Sequence, residues 1–338
     1  MKAWLLDYLV CPSCQAPLRC TPDIGGRDDL ETGTLTCTSC GNDYPIVRGI
    51  PRMLSQDIQP EQQRTSEAFG WQWQAFNRLH ADWATYEDRF LDWVAPLQPA
   101  FFRDKVVLDA GCGMGEFTAV AARLGAHRVI GIDLSASVEA AHRFTSHLPN
   151  AGIVQADLYQ LPFKSPFDMA FSIGVIHHLP DPPAGLSALG KHVQSDVLLF
   201  AWVYGYENNG WIRNVVNPIR ERITARLPRR GLYVLSYALA IVLQAALHML
   251  YRIPLDTALS RWLPYYSYLH WLAQFNFRHN HCVIFDHLGA PTAQYVRKEE
   301  FRTWFEQAGF AKATFTWRNQ NSWRGFGQRA SQPLGNAL

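Results

Sequence analysis

From residue 106 onward, short apolar runs alternate with stretches of helical spacing. Val106–Leu108, Arg128–Ile132, Ile153–Ala156, Asp168–Ile173 and Val197–Val203 predict five strands. Glu116–Leu124 predicts a helix after the first of them, with Gly125 at its C-terminal cap. Ser135 is placed to N-cap the helix after the second. Alternating strands and helices mean a mainly parallel sheet with helices on both faces. Residues 207–290 break this pattern and read as an aromatic, partly basic and mostly helical insertion. The pattern resumes with a helix over Lys298–Ala308 and strands over Ala311–Trp317 and Ser322–Gln328. The last ten residues read as a loose tail. Upstream, residues 57–100 look helical and aromatic, and Pro96 and Pro99 close them. Residues 1–56 are turn-rich and form a small module of their own. The expected order is therefore 1–56 small module, 57–100 helical cap, 101–206 core, 207–290 insertion and 291–330 completion of the core.

Composition narrows the class. Charged residues make up 18% and hydrophobic ones 48% of 338 residues, which excludes a disordered chain. The balance of 31 basic to 29 acidic residues gives no overall argument for a nucleic-acid binder. Seven cysteines are present, five of them within the first forty residues. An odd count, with no apolar run suited to a signal peptide, points to metal or free thiols and to a cytoplasmic setting.

Cys11-Pro-Ser-Cys14 and Cys37-Thr-Ser-Cys40 are the densest chemistry. Each C-x-x-C turn presents two sulfurs on one side of a tight loop. Two turns supply four thiolates, a donor set suited to tetrahedral Zn²⁺ with no open position, hence a structural site. A rubredoxin-like iron site or unpaired thiols are the other readings, and Cys20 is a bystander. A module of about 50 residues builds little core alone, so bound metal would supply folding energy. Leu5–Pro12 and Tyr44–Pro51 resemble the small zinc-ribbon family that activates methyltransferases, as a partner subunit or as a fused N-terminal domain. The module is slightly acidic, unlike a nucleic-acid-binding finger.

Val107-Leu108-Asp109-Ala110-Gly111-Cys112-Gly113-Met114-Gly115 follows a strand and opens a helix. The dinucleotide spacing G-x-G-x-x-G fails, since Glu116 and Thr118 occupy the third positions. The spacing is instead D-x-G-x-G-x-G. Alone, a glycine turn of this kind is often an ordinary strand–helix connection. Here Asp133 ends the second strand, Asp157 ends the third, and Phe167–Ile173 supplies a fourth-strand motif. Together these resemble the class I S-adenosylmethionine-dependent methyltransferases, of the small-molecule type that includes the ubiquinone and menaquinone enzymes. The resemblance implies an α/β fold, a Rossmann-like seven-stranded sheet, and S-adenosylmethionine as cofactor. It implies a cofactor site made by Asp109, Gly111, Gly113, Gly115, Asp133, Leu134, Asp157, Leu158 and Ser172. Asp133 would accept from the ribose hydroxyls and Asp157 from the adenine amino group. One departure is the sequence His192–Asp196, where the family often carries a Pro-Gly-Gly turn.

Val175-Ile176-His177-His178-Leu179 follows the fourth strand at the sheet's carboxyl edge, where ligands bind in this architecture. His178, or else His177, could serve as a base; the plainer reading is packing and loop capping. The polar run Arg278–Cys282 with Asp286-His287 reads as plain loop or core, or else as a metal or substrate site, and Tyr204–Glu207 as a substrate wall. Gly231–Tyr251 carries no formal charge over 21 residues, about 32 Å as a helix. A single span would strand the later core strands across a membrane. The insertion therefore reads as a lid over an apolar pocket or as a monotopic membrane contact.

The sequence points to methyl transfer onto a small-molecule or lipid-linked acceptor. No nucleic-acid partner is expected, and peripheral membrane contact through 207–277 is compatible with the pattern. RNA methylation and a non-catalytic cofactor-binding scaffold are the rival readings.

Overall fold

The computed structural model describes residues 1–26, 29–55, 58–164, 167–255 and 257–328. The expected loose tail lies outside the described residues.

Strands β1 (Leu18–Gly25), β2 (Leu30–Cys37) and β3 (Asp43–Val47) form an antiparallel meander, and β4 (Ile50–Met53) pairs with β3. β4 also pairs, in parallel, with core strand β7 (Ala151–Ala156) through Arg52↔Gln155 and Met53↔Ala156. The sheet of the N-terminal module thus runs into the sheet of the core. A second contact explains why the two join. Leu5, in a 3₁₀ turn over Ala3–Asp7, lies flat on Gly152 of β7. A Cβ at Gly152 would stand 2.9 Å from the Leu5 side chain, so glycine is what lets this turn dock.

Helices α1 (Pro60–Ala75) and α2 (Trp83–Val94) follow. The core then adds β5 (Val106–Ala110), α3 (Glu116–Arg123), β6 (Arg128–Asp133), α4 (Val138–Thr145), β7, β8 (Phe167–Ile173), α5 (Pro182–Lys191) and β9 (Val193–Tyr204). The insertion comprises α6 (Asn217–Arg222), α7 (Arg229–Ala246), α8 (Thr257–Ser260), α9 (Tyr266–Leu272) and α10 (Phe277–Gly289). Helix α11 (Lys298–Gln307) and strands β10 (Lys312–Arg318) and β11 (Ser322–Gln328) complete the core. The seven core strands run in the order β7-β6-β5-β8-β9-β11-β10, with β11 alone reversed. The expected seven-stranded α/β sheet is present. β5 lies between β6 and β8, so the strand order reverses there, and the crevice at its carboxyl end is where such sheets bind ligands.

Two local expectations need correction. Ser137, and not Ser135, precedes α4, because the Ser135 hydroxyl is committed to the Asp133 carboxylate at 2.7 Å. The segment 193–196, read as a turn, belongs to β9, whose Val193 pairs with Phe167. Within the insertion, α7 continues through a wider π turn to Tyr251 and packs along α10. Leu232, Ser236 and Ala240 form its buried stripe, and Ser236 Oγ meets His281 Nε2 at 2.9 Å.

Candidate active site

The glycine loop turns sharply at the end of β5. Gly111 has φ +86° and Gly113 has φ +53°, a region costly for other residues. A Cβ at Gly111 would lie 2.2 Å from Val175, and one at Gly113 would lie 2.9 Å from the Trp73 indole. The chain therefore closes tightly over this turn from both sides. Asp133 stands at the loop's flank. Its carboxylate accepts from the backbone N–H of Gly113 at 3.1 Å and of Ser135 at 2.8 Å. Burial pushes its pKa up. Asp157, at the end of β7, accepts from Gln62 of α1 at 2.8 Å and from the Tyr159 N–H at 3.0 Å.

Gly111, Gly113, Asp133, Leu134, Asp157 and Leu158 all line one chamber. Two carboxylates, the glycine surface and the apolar side chains of Leu134 and Leu158 suit an amphipathic nucleoside. Asp133 can accept from vicinal hydroxyls and Asp157 from an exocyclic amine. The other expected cofactor residues do not reach the chamber. Asp109 accepts from Thr118 Oγ1 at 2.6 Å, and burial pushes its carboxyl up to about 7. Gly115 is the left-handed N-cap of α3, where a Cβ would strike Ala141. The Ser172 hydroxyl donates to the Ala110 carbonyl at 2.8 Å. These three stand behind the chamber lining and shape the loop from there. Cys112 is buried in the loop and its thiol is pushed up, which keeps it unreactive.

The chamber continues beyond the loop into an aromatic half. Trp93 and Trp202 meet edge to face at 4.3 Å, and Trp93 and Trp271 at 6.0 Å. The Arg318 guanidinium lies 3.9 Å from the Trp93 ring and pairs with Asp92. Its polar side centres on Asp286 of α10, which accepts from the Tyr204 hydroxyl at 3.0 Å and from Gln72 at 3.2 Å. Burial first, then Asp286, pushes the Tyr204 phenol well above its usual range.

The two histidines separate here. His178 lines the chamber, and its Nδ1 faces the Thr292 carbonyl. A carbonyl only accepts, so Nδ1 carries the proton and Nε2 keeps its lone pair. Burial lowers the His178 pKa, against an opposing pull from Asp286. His177 is fully buried, both its ring nitrogens lack a partner, and it packs on Tyr204 and Trp202 outside the chamber lining. Its surroundings match the packing reading, and His178 is the histidine of the pair that lines the chamber.

Outside the chamber lining, Cys11, Cys14, Cys37 and Cys40 place their sulfurs within 4.8 Å of one another. Cys14 and Cys37 are 3.4 Å apart, Cys11 and Cys40 3.7 Å. A tetrahedron with Zn–S bonds of 2.3 Å has edges of about 3.8 Å, so the four sulfurs fit such an ion. The N–H groups of Ser39 and Cys40 point at the Cys37 sulfur at 3.4 Å, as a thiolate requires. Cys20, on β1, stands apart from the cluster.

Residues 107–196 match the family described as methyltransferase domain, and residues 2–49 match the family described as Trm112p-like protein. This chain carries a methyltransferase domain behind a Trm112p-like module. A tRNA U34 carboxymethyltransferase of Ruthia magnifica subsp. Calyptogena magnifica is 36% identical over 91 residues, 26% of this chain and 29% of that protein. The same name recurs among further relatives at 30–33% identity. A trans-aconitate 2-methyltransferase of Deinococcus radiodurans is 37% identical over 89 residues, 26% of this chain and 33% of that protein. The chain spans 28–39% of the length of the curated relatives it matches. Among solved structures, the magnesium protoporphyrin IX methyltransferase of Synechocystis PCC 6803 is 14% identical with a TM-score of 0.44, over 82% of this chain and 100% of that one. The recurrent tRNA enzymes overturn the expectation that nucleic acid has no place among the partners. That expectation rests on overall charge balance and on the slight acidity of residues 1–56, and neither says what another local surface or pocket can take.

Two wall residues, Gln62 and Gln72, carry no signal in the sequence, whereas Cys282 belongs to the polar run already singled out. Gln62 and Gln72 on α1 reach Asp157 and Asp286, and Cys282 on α10 lines the wall with its thiol pushed up by burial. The polar run 278–287 divides by helix face. Asp286, His287, His279 and Cys282 line the chamber, while His281 turns to α7. The chamber also holds a buried ion pair. Arg89 of α2 grips Glu116 of α3 in a bidentate fork at 2.8 and 3.0 Å, with both side chains at most 7% exposed. Arg89→Ala should lower unfolding stability by about 3–5 kcal/mol, because Glu116 is left buried and unpaired. Urea titration measures the loss; Arg89→Met with Glu116→Leu should recover most of it.

Proposed function

We propose that this chain transfers a methyl group from S-adenosylmethionine to an acceptor ring or chain held in the aromatic half of the chamber. The observation that carries the reading is the single cavity joining the Asp133–Asp157 glycine-loop end to the Trp93–Trp202–Trp271 end. When bound, the cofactor supplies an electrophilic methyl group on a sulfonium. The chain's own part is alignment and exclusion of water. Asp133 and Asp157 hold the nucleoside, the glycine turn admits the methionine part, and the indoles hold the acceptor. His178 Nε2 takes a proton where the accepting atom carries one.

His178→Asn should lower the turnover rate about 10²–10⁴-fold while cofactor affinity stays unchanged. The neutral imidazole is the active form and its pKa is lowered, so the rate should rise with pH below 6.5 and be flat at neutrality. An unchanged rate in the variant removes the base role.

For the acceptor, the relatives support RNA over a free small molecule. A base turned out of its strand stacks readily on aromatic side chains of the kind found here. A lipid-linked acceptor is the second reading, favoured by the exposed apolar face of the insertion beside the chamber. Incubation with labelled cofactor and separated RNA, lipid and small-molecule fractions tests both. Label in RNA supports the first, label in lipid the second, and no label in any fraction overturns the transferase reading in favour of a cofactor-binding scaffold. We further propose that the four cysteines hold a structural Zn²⁺.

A further inference from the structure

Sixteen large hydrophobic side chains are exposed among the described residues, and fourteen of them fall within 211–262. They include Trp211, Ile223, Val234, Val242, Met249 and Trp262, the last 85% exposed. α7 with its π-turn extension runs 23 residues, about 34 Å, and only 22% of its most apolar window is buried. One face of this helix is fixed to the protein: Ser236 bonds His281, and Leu232 covers Gly289 of α10. The opposite face is apolar and open. Exposed apolar side chains concentrated along one helix face in this way mark a contact site.

The geometry excludes a simple span. β9 precedes the insertion and β11 follows it, and the two pair over seven consecutive positions. The chain therefore leaves and returns on the same side of any bilayer. What remains is a helix lying along a surface. Charge identifies the surface. Arg222, Arg226 and Arg230 are exposed just before or at the start of α7, and Arg252 is exposed just after its extension. Glu221 is the only acidic residue of 211–255. Guanidinium groups at both ends of an apolar helix match a bilayer with anionic headgroups. Trp211 and Trp262 flank the strip in sequence, and indoles settle at the headgroup level.

We propose that the insertion docks this protein in-plane on an anionic membrane surface, with α7 embedded along its outer face and α10 between it and the chamber. The α10 wall of the chamber thereby lies one helix away from the lipid. The proposal does not depend on which acceptor is methylated.

The test is sedimentation of the full chain with vesicles of phosphatidylcholine alone, or with 30% phosphatidylglycerol. Wild type should pellet with the anionic vesicles at least ten-fold more than with neutral ones, and high salt should weaken the binding. Val234→Glu with Val242→Glu should lose at least ten-fold in partition. Both side chains are 68% exposed, so thermal unfolding and S-adenosylhomocysteine binding should match wild type. Wild type remaining in the supernatant overturns the proposal. A wild-type dimer that the same double variant splits, with no vesicle binding, also overturns it and assigns the strip to a second copy. Retained cofactor binding in either case leaves the methyltransferase reading standing.

Discussion

Asp133→Ala should abolish measurable binding of S-adenosylhomocysteine in calorimetry, a loss of about 10²–10⁴-fold. A carboxylate that accepts from both ribose hydroxyls makes two charge-assisted hydrogen bonds, each worth about 1.5–3 kcal/mol when its partner is otherwise left unpaired. A second effect adds to this. Asp133 already holds Gly113 and Ser135 in place, so its removal frees the turn that the methionine part must fit. Asp133→Asn keeps one acceptor oxygen and should fall between wild type and alanine. Asp109→Asn is the informative contrast. Its carboxyl is bonded to Thr118 and stands off the chamber, so its effect should appear in thermal stability more than in affinity. Equal affinity in wild type and Asp133→Ala would remove Asp133 from the cofactor site.

The contrast between these two acids shows what the sequence could and could not convey. Both sit in the resemblance, Asp133 at the end of its strand and Asp109 one residue before the end of its own. Strand ends, glycine turns and the order of the core are local properties, so they were readable from short windows. Whether a carboxylate faces the crevice or the helix behind it depends on a neighbour such as Thr118, nine residues away on α3. The acceptor half was less legible still. Gln72 and Asp286 meet across 214 positions, and α2 brings Arg89 to Glu116 across 27. No period or motif encodes such meetings. The aromatic density of 57–100 was the available signal, and it suggested packing without saying around what. In the insertion, the pattern shows an apolar helix with a small or polar stripe every four residues, Ser236, Ala240, Gln244 and His248, but does not fix which face meets the protein. The bond from Ser236 to His281 and the cover of Leu232 on Gly289 do that.

The cysteine module carries the other large expectation. Cys37→Ser, or chelation at neutral pH, should lower the thermal midpoint of the whole chain in one transition. The apparent binding energy of a structural zinc site is on the order of 10–16 kcal/mol, and in a small module it is folding energy. A module tethered only by a linker would unfold by itself and leave the core transition unmoved, as the slight, turn-rich composition of 1–56 suggests. The structure couples the two. β4 bonds to β7 in the core sheet, Leu5 seals Gly152, and Arg52 bonds both Gln155 and Glu139. Leu5, Leu9 and Cys11 share one buried cluster with Ile130, Val154 and Phe163. Losing the module exposes β7, whose end carries Asp157, so cofactor affinity should fall together with stability. Calorimetric scans with and without chelator distinguish the cases. One transition that moves as a whole supports a shared core, whereas an unchanged core transition beside a lost minor one means that the ribbon and the domain behind it fold apart.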